Sequence, residues 1–527
     1  MVIHSSYPDV SVPEQSLASF VLAGASARGD KPAIVDGLTG RTLTYRELAA
    51  TVSRVGRGLR RHGVRKGDVL AMCCPNSPDF PVAYYAALSA GATVTTINPM
   101  ATPEDVARQL EHSSARWLVT TPELLEKLAL AVAVAGLEEV FVFGHAAGAT
   151  PFGALDQDPG SSTEADVSPD DVALLPYSSG TTGLPKGVVL THRALVASLC
   201  GTRPAHPVGP DDVVVAVLPL FHIYGMQVSM NLALAAGATV VTVGRFELES
   251  FLRILQDRRV TRAEVVPPIV LALAKDPAVD RYDLSSLRVI TSAAAPLGEE
   301  LADLCAERLG CRVKQAYGMT ELGGATHFAP DEGEERPDSI GRALPGVECR
   351  VVDCATGAEI GPGETGELLV RARGVMRGYL GNDAATALTI DADGWLRTGD
   401  IVKADADGWF VVVDRVKELI KYKGYQVAPA ELEAVLVSHP AVADAAVVPS
   451  PDEAAGEVPK AFVVPAGPVS EAELMAFVAD RVAPYRKVRR LEFVEEIPKS
   501  PSGKILRRVL VERERRTAAP VPAGAGR

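Results

Sequence analysis

The chain has 527 residues, of which 47% are apolar and 23% are charged, which is the composition of an ordinary globular protein. Its 66 acidic and 53 basic residues give a net charge of −13, which argues against a general nucleic-acid binder. Seven cysteines without a CxxC pair predict a reducing compartment and no disulfide framework.

No apolar run is long enough to predict a membrane span. The run at residues 128–137 ends at two glutamates and predicts a buried helix or strand instead. The sequence opens without a basic segment followed by an apolar one, and it does not end in Ser-Lys-Leu. We therefore expect a cytoplasmic protein.

The first two thirds of the chain alternate between helical and strand-like patterns. Helical periodicity at 46–62 and 80–90 is interleaved with strand-like runs at 68–73 and 93–97. A second round has strand-like runs at 213–218, 238–243, 263–266 and 289–292, and a helical pattern at 248–258. Strand and helix in alternation predict βαβ units around two mostly parallel sheets.

After residue 340 the segments shorten and turn residues multiply. Two DxDG turns, at 391–394 and 405–408, separate apolar runs and predict an antiparallel β unit. Helices at 429–437 and 471–482 and strands at 444–448 and 460–464 predict a compact α/β domain at the end of the chain.

The stretch YSSGTTGLPKG (residues 177–187) is the most informative motif. Its three glycines permit tight turns that expose backbone N–H groups, and its four hydroxyls and one lysine add further donors. Such a loop is suited to wrapping a polyphosphate. It is not a Walker A loop, because the spacing differs and residues 188–190 continue as a strand. A surface hairpin is the alternative.

This loop resembles the phosphate loop of the acyl-adenylate-forming superfamily, which includes acyl-CoA ligases, firefly luciferase and the adenylation domains of peptide synthetases. Four more segments look like that superfamily's motifs in the expected order: QAYGMTE (315–321), TGD (398–400), DRVKELIKYKGYQV (414–427) and PSGKI (501–505). The hinge segment and PLFHIYG (219–225) look closest to the 4-coumarate–CoA ligase branch.

The resemblance implies an α/β fold with a large N-terminal AMP- and acyl-binding domain over 1–414. That domain consists of two βαβ-type subdomains plus a small β-barrel-like subdomain. A hinge follows at 415–417, then a smaller mobile α+β domain at 418–515, and we expect residues 516–527 to be disordered.

The implied reaction has two steps. A carboxylate attacks the α-phosphate of ATP to give an acyl adenylate and pyrophosphate, and the thiol of CoA then displaces AMP. Because two anions meet in the first step, positive charge is needed where they react. Lys504 would bridge carboxylate and phosphate, and rotation at Lys417 would then present Lys421 and its neighbours for thiol transfer.

The resemblance also implies a set of site residues. The catalytic residues are Lys504, Lys421, Thr182, Glu321 and His222, of which Glu321 and Thr182 would hold Mg²⁺. The nucleotide and CoA contacts are Ser178, Ser179, Gly180, Thr181, Thr182, Lys186, Gln315, Ala316, Tyr317, Thr320, Asp400, Arg415, Lys417, Arg245, Lys423, Gly424 and Gln426. The acyl pocket is lined by Tyr224, Val228, Ala294, Ala316, Gly324, Ala325 and Phe328.

Three positions depart from the plant enzymes of this branch. Gly324-Ala325 stands where they carry Pro-Val, and Ala316 stands where they carry glycine, so one end of the pocket would open and another would narrow. Tyr224 is expected to hydrogen-bond a phenol or to stack on a ring.

Several alternatives stay open at this stage. The acid is a hydroxycinnamate-type aryl acid or a medium-chain fatty acid; more distant alternatives are an amino-acid adenylation module, a luciferase-type oxygenase and a non-catalytic regulator. Without the resemblance, Lys504 would be interpreted as a solvated surface lysine and His222 as a core histidine. The lysines at 417, 421 and 423 would be interpreted as a solvated basic stripe. The oligomeric state is not predicted.

Overall fold

The computed structural model describes residues 2–157, 165–178, 185–423, 425–452, 455–501 and 503–518. Three β-sheets organise this part of the chain. The α-helices are α1 Leu17–Leu22, α2 Ala25–Arg28, α3 Tyr45–Arg61, α4 Asp79–Ser89, α5 Pro103–His112, α6 Pro122–Lys127, α7 Ala129–Val134, α8 His192–Thr202, α9 Ala233–Ala236, α10 Leu248–Asp257, α11 Pro267–Lys275, α12 Glu299–Leu309, α13 Asp383–Thr389, α14 Pro429–Ser438, α15 Glu471–Ala479 and α16 Arg507–Ala518. A π-helix spans Gly225–Leu232, and 3₁₀ turns span Phe152–Asp156, Pro277–Arg281, Thr320–Leu322 and Pro484–Arg486.

The strands carry the site and are numbered in chain order. They are β1 Ile3–His4, β2 Pro32–Asp36, β3 Thr42–Thr44, β4 Val69–Cys73, β5 Thr93–Thr96, β6 Ala115–Thr120, β7 Glu139–Val142, β8 Thr150–Pro151, β9 Val172–Leu174, β10 Tyr177–Ser178, β11 Lys186–Thr191, β12 Val213–Ala216, β13 Thr239–Thr242, β14 Arg262–Val265, β15 Val289–Ser292, β16 Arg312–Met319, β17 Gly324–Phe328, β18 Gly341–Ala343, β19 Val347–Val352, β20 Thr365–Ala372, β21 Gly378–Tyr379, β22 Leu396–Ala404, β23 Trp409–Arg415, β24 Ile420–Tyr422, β25 Tyr425–Val427, β26 Val442–Asp452, β27 Gly456–Pro465 and β28 Arg490–Phe493.

The first round of βαβ units forms one sheet. Its strand order is β10-β11-β9-β5-β4-β6-β7-β8, with parallel pairing from β9 through β8 and an antiparallel edge at β10 and β11. Helix α3 begins where a capping box joins Thr44 and Glu47, and its apolar stripe packs into the core. The predicted alternation of helices and strands in this region is confirmed.

The second round and the antiparallel β unit share one larger sheet. Strands β2, β13, β12, β14, β15 and β16 are parallel, and β17, β18, β23, β22, β20, β19 and β1 extend the same sheet in antiparallel order. The predicted antiparallel unit therefore continues the parallel sheet through the β16–β17 pair. We call the region around Asp400, Arg415 and Lys504, where the large sheet meets the C-terminal unit, the crevice.

A third sheet forms the C-terminal unit. Its order is β25-β24-β27-β26, with β28 parallel to β27, and α14, α15 and α16 pack on it. Both predicted helices and both predicted strands are present, although the β26–β27 hairpin is longer than the sequence suggested. The overall α/β class with a smaller α+β unit is thus confirmed, while the predicted domain limits at 414 and 418 stay predictions.

One sequence expectation is wrong in part. The apolar run at 128–137 includes α7, whose Leu130 and Val134 side chains are 79% and 75% exposed, although Leu128 and Ala131 are buried. Helix α16 extends to Ala518, residues 519–527 lie outside the described residues, and the predicted tail at 516–527 stays a prediction. In the described residues no helix is long and apolar enough to cross a membrane.

Contacts at three places dock the C-terminal unit onto the N-terminal part. Lys275 Nζ at the end of α11 donates to the Val437 carbonyl over 2.7 Å. Gly298, which caps α12, lies so close to α14 that an added Cβ would sit 3.3 Å from Ala434 Cβ. Gly503 has a positive φ of 76° and approaches Val266 so closely that a Cβ there would clash. This docking fixes where the loop before α16 lies.

A buried charge network holds the junction between the two units together. Arg507 of α16 donates to Glu418 and to Glu433, the latter over 2.5 Å, and it also attracts Asp414. Asp414 accepts the Ala430 N–H over 3.0 Å. Burial raises the pKa of Asp414 to about 6 and that of Glu433 to about 7, against the opposing attraction of Arg507.

Replacing Arg507 tests how far this network stabilises the junction. Arg507→Met leaves buried carboxylates without their cation, which costs about 3–5 kcal/mol of unfolding free energy. Because Glu433 and Asp414 have folded pKa values above their unfolded ones, they take up protons as pH falls and the uncompensated charge disappears. Urea denaturation should therefore show a large loss at pH 8 and a smaller one at pH 5.

The matched control is Arg508→Met. The neighbouring Arg508 side chain is 83% exposed, so its loss should change stability little at either pH. An equal cost of Arg507→Met at pH 5 and pH 8 would contradict the proposed role of the buried carboxylates.

Candidate functional site

An acidic residue stands at the centre of the crevice. Asp400 of β22 lies opposite Arg415 of β23, and Arg415 Nε donates to Asp400 Oδ1 over 2.6 Å. The Tyr317 hydroxyl donates to Asp400 Oδ2 over 2.6 Å. A carboxylate offers about four acceptor positions, so Asp400 can still accept from the two hydroxyls of a ribose.

Lys504 points at the same crevice from the C-terminal unit. A tight turn holds it: the Lys504 N–H donates to Ser500 Oγ over 3.1 Å, and the Ser500 N–H donates to the Lys504 carbonyl over 2.8 Å. The side chain is reached by solvent but crowded by protein atoms. This desolvation, together with Arg415, lowers its pKa, while Asp400 and Glu321 attract the ammonium and oppose that change.

His222 faces Lys504 from the entrance to the π-helix. Its Nδ1 accepts the Tyr224 N–H over 3.3 Å, an assignment that leaves the proton of the neutral ring on Nε2. Burial, and secondarily the charge of Lys504, lowers the pKa of His222 to about 4. The ring is therefore neutral at pH 7, and it can donate one hydrogen bond from Nε2 without carrying charge.

A chain of contacts joins Lys186, at the end of the phosphate loop, to Glu321. Lys186 Nζ lies 4.8 Å from the centre of the Tyr379 ring, and the Tyr379 hydroxyl donates to Glu321 Oε1 over 3.0 Å. Strand β21 brings Tyr379 there, because it pairs with β11 next to Lys186. One tyrosine thus positions both a cation and a carboxylate that the sequence assigned to nucleotide binding.

Glu321 fits a role in holding Mg²⁺. It is 6% exposed, and one of its two carboxylate oxygens is bonded to Tyr379. The described residues contain no cluster of three or more histidine, cysteine or carboxylate side chains that could hold a metal. Mg²⁺ usually binds one or two carboxylates together with substrate phosphates, so one glutamate is enough for this role.

Gln315 and Ala316 lie where β16 enters the crevice. The Gln315 side chain is buried and bonds the backbone of Leu297 in both directions, over 3.0 and 3.1 Å, and also the Pro337 carbonyl. Its side chain therefore fixes the surrounding loops, so any contact with a nucleotide must come from the backbone. Thr320 begins the following 3₁₀ turn and is half-buried.

The predicted acyl-pocket residues fall into two groups. Tyr224 and Val228 lie along the π-helix, and Ala294 follows β15 with a left-handed φ of 72°, a strained conformation for alanine. The Tyr224 hydroxyl donates to the Thr291 carbonyl over 3.0 Å. Its proton is therefore used within the protein, so a substrate phenol could meet Tyr224 only by donating to its hydroxyl oxygen, and both expected roles stay predictions.

The second group packs against α8 and the buried interior. Gly324 faces Ser198, and a Cβ at this position would lie 2.6 Å from Ser198 Oγ, so packing favours glycine there. Ala325 lines a small cavity against α8 and the N-terminal segment. Phe328 is fully buried, with its ring stacked 4.8 Å from that of His206. The predicted place of these residues in the acyl pocket stays a prediction.

Four predicted cations are exposed. Lys421 and Lys423 are exposed on the β24–β25 hairpin, whose backbone bonds Glu457 and Ala455 within the C-terminal unit. Lys417 and Arg245 are also exposed. Ser178 is described, and its hydroxyl is buried with no partner among the described residues. Ser179, Gly180, Thr181, Thr182 and Gly424 lie outside the described residues, as does the side chain of Gln426.

The sequence interpretation missed Tyr379 and a buried charged cluster. This cluster consists of His206, Asp212, Arg262, Glu264, Lys314 and Asp331, all with side chains at most 9% exposed. The sequence contains a hint of each. Gly378-Tyr379 lies in a stretch to which the sequence analysis assigned no element, and Glu264 and Lys314 are charged residues within strand-like apolar runs, where charged residues are unusual.

Comparison with protein families gives two matches. The AMP-binding enzyme family matches residues 22–380, and the AMP-binding enzyme C-terminal domain matches residues 431–504. The first covers more than half of the chain. The second begins after the predicted hinge and ends at Lys504.

Individual relatives match over nearly the whole length. The 4-coumarate-CoA ligase 1 of Narcissus pseudonarcissus is 42% identical, over 99% of this chain and 98% of its own. Among solved structures, an anthranilate CoA ligase in complex with anthranoyl-AMP superposes with a TM-score of 0.89 at 27% identity, covering 96% of this chain and 98% of its own. A benzoate CoA ligase from Burkholderia xenovorans LB400 gives 0.85 at 29% identity, covering 94% and 99%.

Proposed function

Because the chain belongs to the AMP-binding enzyme family, we propose that it is an ATP-dependent acid–CoA ligase that activates an aryl-propenoic acid of the 4-coumarate type. The observation that carries the proposal is the meeting of Lys504, Asp400 and Arg415 in one crevice. Full-length similarity to 4-coumarate–CoA ligases supports it. The free cysteines fit a reducing compartment such as the cytoplasm.

In the first step, a carboxylate oxygen of the acid forms a bond to the α-phosphorus of ATP. The bond from that phosphorus to the bridging oxygen breaks, and pyrophosphate leaves with the electron pair. Lys504 bridges the carboxylate and the α-phosphate, so that the two anions can approach. Neutral His222 donates to the acid without adding a second charge, and Asp400 holds the ribose.

Lys186 acts on the leaving phosphates, and Glu321 would hold the metal ion that accompanies them. Lys186 lies at the end of the phosphate loop, and Glu321 is the described carboxylate placed to hold the metal. Bound there, Mg²⁺ supplies charge neutralisation of the phosphate oxygens. Tyr379 is a positioning residue for both groups.

In the second step, the sulfur of CoA attacks the acyl carbon and AMP leaves with the bonding electrons. The exposed Lys421–Lys423 hairpin is the face that would serve this step. Rotation at Lys417 would exchange the two faces, which accounts for one small domain serving two steps. Lys423 and Arg245 would then meet the phosphates of CoA.

A medium-chain fatty acyl-CoA ligase is the second candidate, since Ala294 and Ala316 leave room for either acid. Two neighbours of the same fold favour the aryl acid, because one is an anthranilate CoA ligase and the other a benzoate CoA ligase. No carboxylate for a substrate ammonium lies between residues 219 and 231, which disfavours an amino acid.

ATP–pyrophosphate exchange tests the proposal directly. The purified protein is given 4-coumarate, cinnamate, benzoate or octanoate with labelled pyrophosphate, and label entering ATP is counted. We expect exchange to be fastest with 4-coumarate. Faster exchange with octanoate would favour the second candidate, and exchange with none of these acids would remove the ligase proposal.

Lys504→Ala separates the two steps. Removing a charge that acts only where the anions meet should lower the rate of adenylate formation by at least about 100-fold. Transfer from preformed acyl-AMP to CoA should change little, because the other face serves that step. Lys499→Ala is the matched control, as Lys499 in the same segment pairs with Asp444 over 2.5 Å. Equal loss in both half-reactions would contradict the two-face mechanism.

Two variants of Tyr379 separate its two contacts. Tyr379→Phe keeps the ring beside Lys186 but removes the hydrogen bond to Glu321, and it should raise the Mg²⁺ concentration for half-maximal exchange by about tenfold. Tyr379→Leu also removes the ring and should in addition raise the KM for ATP. An unchanged Mg²⁺ requirement in Tyr379→Phe would show that Tyr379 does not position Glu321.

A further inference from the structure

The π-helix carries a buried polar side chain that the proposed mechanism does not use. Gln227 is 1% exposed, and its chain neighbours Met226 and Val228 are apolar and also buried. A buried amide is costly unless its hydrogen bonds are made, and a side chain that makes them fixes the groups that it bonds. The partners of Gln227 therefore show what it holds in place.

The amide nitrogen of Gln227 joins two other parts of the chain. Its Nε2 donates to the Gly323 carbonyl over 3.1 Å and to the carbonyl of Leu195, in α8, over 3.1 Å. Leu195 lies within a helix, in which a carbonyl also accepts the N–H of the residue four positions on. Gly323 lies where the chain turns from β16 into β17. The bond to Gly323 is therefore the one that fixes a turn.

Gly323 closes the turn that carries Glu321. The Gly323 N–H donates to the Thr320 carbonyl over 3.1 Å, and this bond ends the 3₁₀ turn Thr320–Leu322. Gly323 has a left-handed φ of 68°, which suits glycine, and a Cβ there would clash with the Gly374 carbonyl. Because Glu321 is the middle residue of this short turn, a shift of Gly323 would move Glu321 as well.

A second segment holds Glu321 directly. The Met376 N–H donates to the Glu321 carbonyl over 2.9 Å, and the Tyr379 hydroxyl donates to Glu321 Oε1 over 3.0 Å. This segment fixes the middle of the turn, while Gln227 fixes its end at Gly323. The carboxylate assigned to the metal ion is therefore held by two supports that are far apart in the sequence, one on the π-helix and one leading into β21.

Two further buried side chains fix the orientation of the Gln227 amide. Asn231 Nδ2 donates to Gln227 Oε1 over 2.7 Å, and the Tyr85 hydroxyl of α4 donates to Asn231 Oδ1 over 2.7 Å. All three residues are at most 1% exposed. A flipped amide would turn Oε1 toward two carbonyl oxygens and lose its bonds, so the donor end stays on Gly323 and Leu195.

We propose that Gln227 is a positioning residue, which holds the turn that carries Glu321 in the geometry needed to bind the metal ion. The inference rests on the proposed ligase function and adds a residue to it. Gln227 acts through the Gly323 carbonyl, so its role needs no contact with the nucleotide or the acid. Groups that orient a metal ligand in this way typically change metal affinity by about 10–100-fold when they are removed.

Gln227→Met tests this role, because methionine keeps the length of the side chain and removes both donors. Binding of Mn²⁺ to the protein together with α,β-methylene-ATP is measured by the loss of the free Mn²⁺ signal in electron paramagnetic resonance. This nucleotide cannot be cleaved at the bond that the reaction breaks, so the readout does not depend on turnover. We expect the Mn²⁺ affinity to fall by about tenfold, and an unchanged affinity would overturn the proposal.

Tyr85→Phe is the matched control. It removes a buried hydrogen bond of the same network but leaves both bonds from Gln227 Nε2 in place. Thermal melting should show a loss of stability in both variants, because each leaves a buried polar group without its partner. Only Gln227→Met should lose Mn²⁺ affinity. An equal loss of affinity in both variants would reflect a weakened core and would count against a positioning role.

A double variant tests whether Gln227 acts through Glu321. Tyr379→Phe removes the hydrogen bond from the other support, and a turn already loosened by Gln227→Met has less of that bond to lose. The Mg²⁺ concentration for half-maximal exchange should therefore rise by clearly less than the product of the two single effects. A full product, about 100-fold, would place the two residues on separate paths and contradict the proposed route.

A second variant covers the case in which Gln227→Met does not melt cooperatively. Gln227→Asn has an amide one methylene too short to keep both bonds, and it should also lower the Mn²⁺ affinity. Normal exchange by the wild-type protein, with unchanged Mn²⁺ affinity in the folded variant, would overturn the positioning role alone. Absence of exchange with every acid would remove the ligase function and the positioning role with it.

Discussion

The pairing of β22 with β23 is the constraint on which the site depends. Its register puts Asp400 opposite Arg415, so the carboxylate assigned to the ribose sits beside the last strand residue before the chain enters the C-terminal unit. The Val416 N–H then donates to the Gly399 carbonyl over 2.9 Å, which extends that pairing by one step. A nucleotide bound at Asp400 would therefore lie next to Arg415, just before the predicted hinge.

The position of Lys504 is decided by packing far from Lys504 itself. The loop that carries it is short, and Gly503 must lie against Val266. Helix α14 rests on α11 and α12, and Arg507 ties α16 to Glu418 just beyond the hinge. Each contact is modest, so the predicted exchange of faces would not break either core. The buried charges around Arg507 favour one geometry because an unpaired carboxylate there would be costly.

Sequence reasoning located the reacting groups because they occur in contiguous motifs. Asp400, Arg415 and Lys504 are far apart in the chain, yet each was recognised within its own short segment, and the structure brings them together. The limits of α3 lie within one residue of the predicted helix at 46–62, and the capping box of Thr44 and Glu47 explains where the helix begins. The longer β26–β27 hairpin was missed because its outer pairs include prolines, which strand patterns exclude.

What the sequence could not give is the partner of each side chain. The Tyr224 proton is used by the Thr291 carbonyl, a contact set by how the π-helix lies on β15, which no sequence pattern indicates. The close approach of Gly324 to Ser198 of α8 is likewise a tertiary contact that the sequence does not reveal. Leu130 and Val134 were expected inside because their run is apolar, yet α7 lies on the surface.

Two groups of charges in this protein are held in opposite ways. Lys504 brings one positive charge to the place where charge would shift during the proposed reaction, and His222 beside it stays neutral. The charges of the buried cluster around Glu264 are paired with one another, as buried charges usually are. The paired cluster ties strands β14 and β16 to the loops beside them, whereas Lys504 has no such fixed partner among the interactions described above and is left for a substrate.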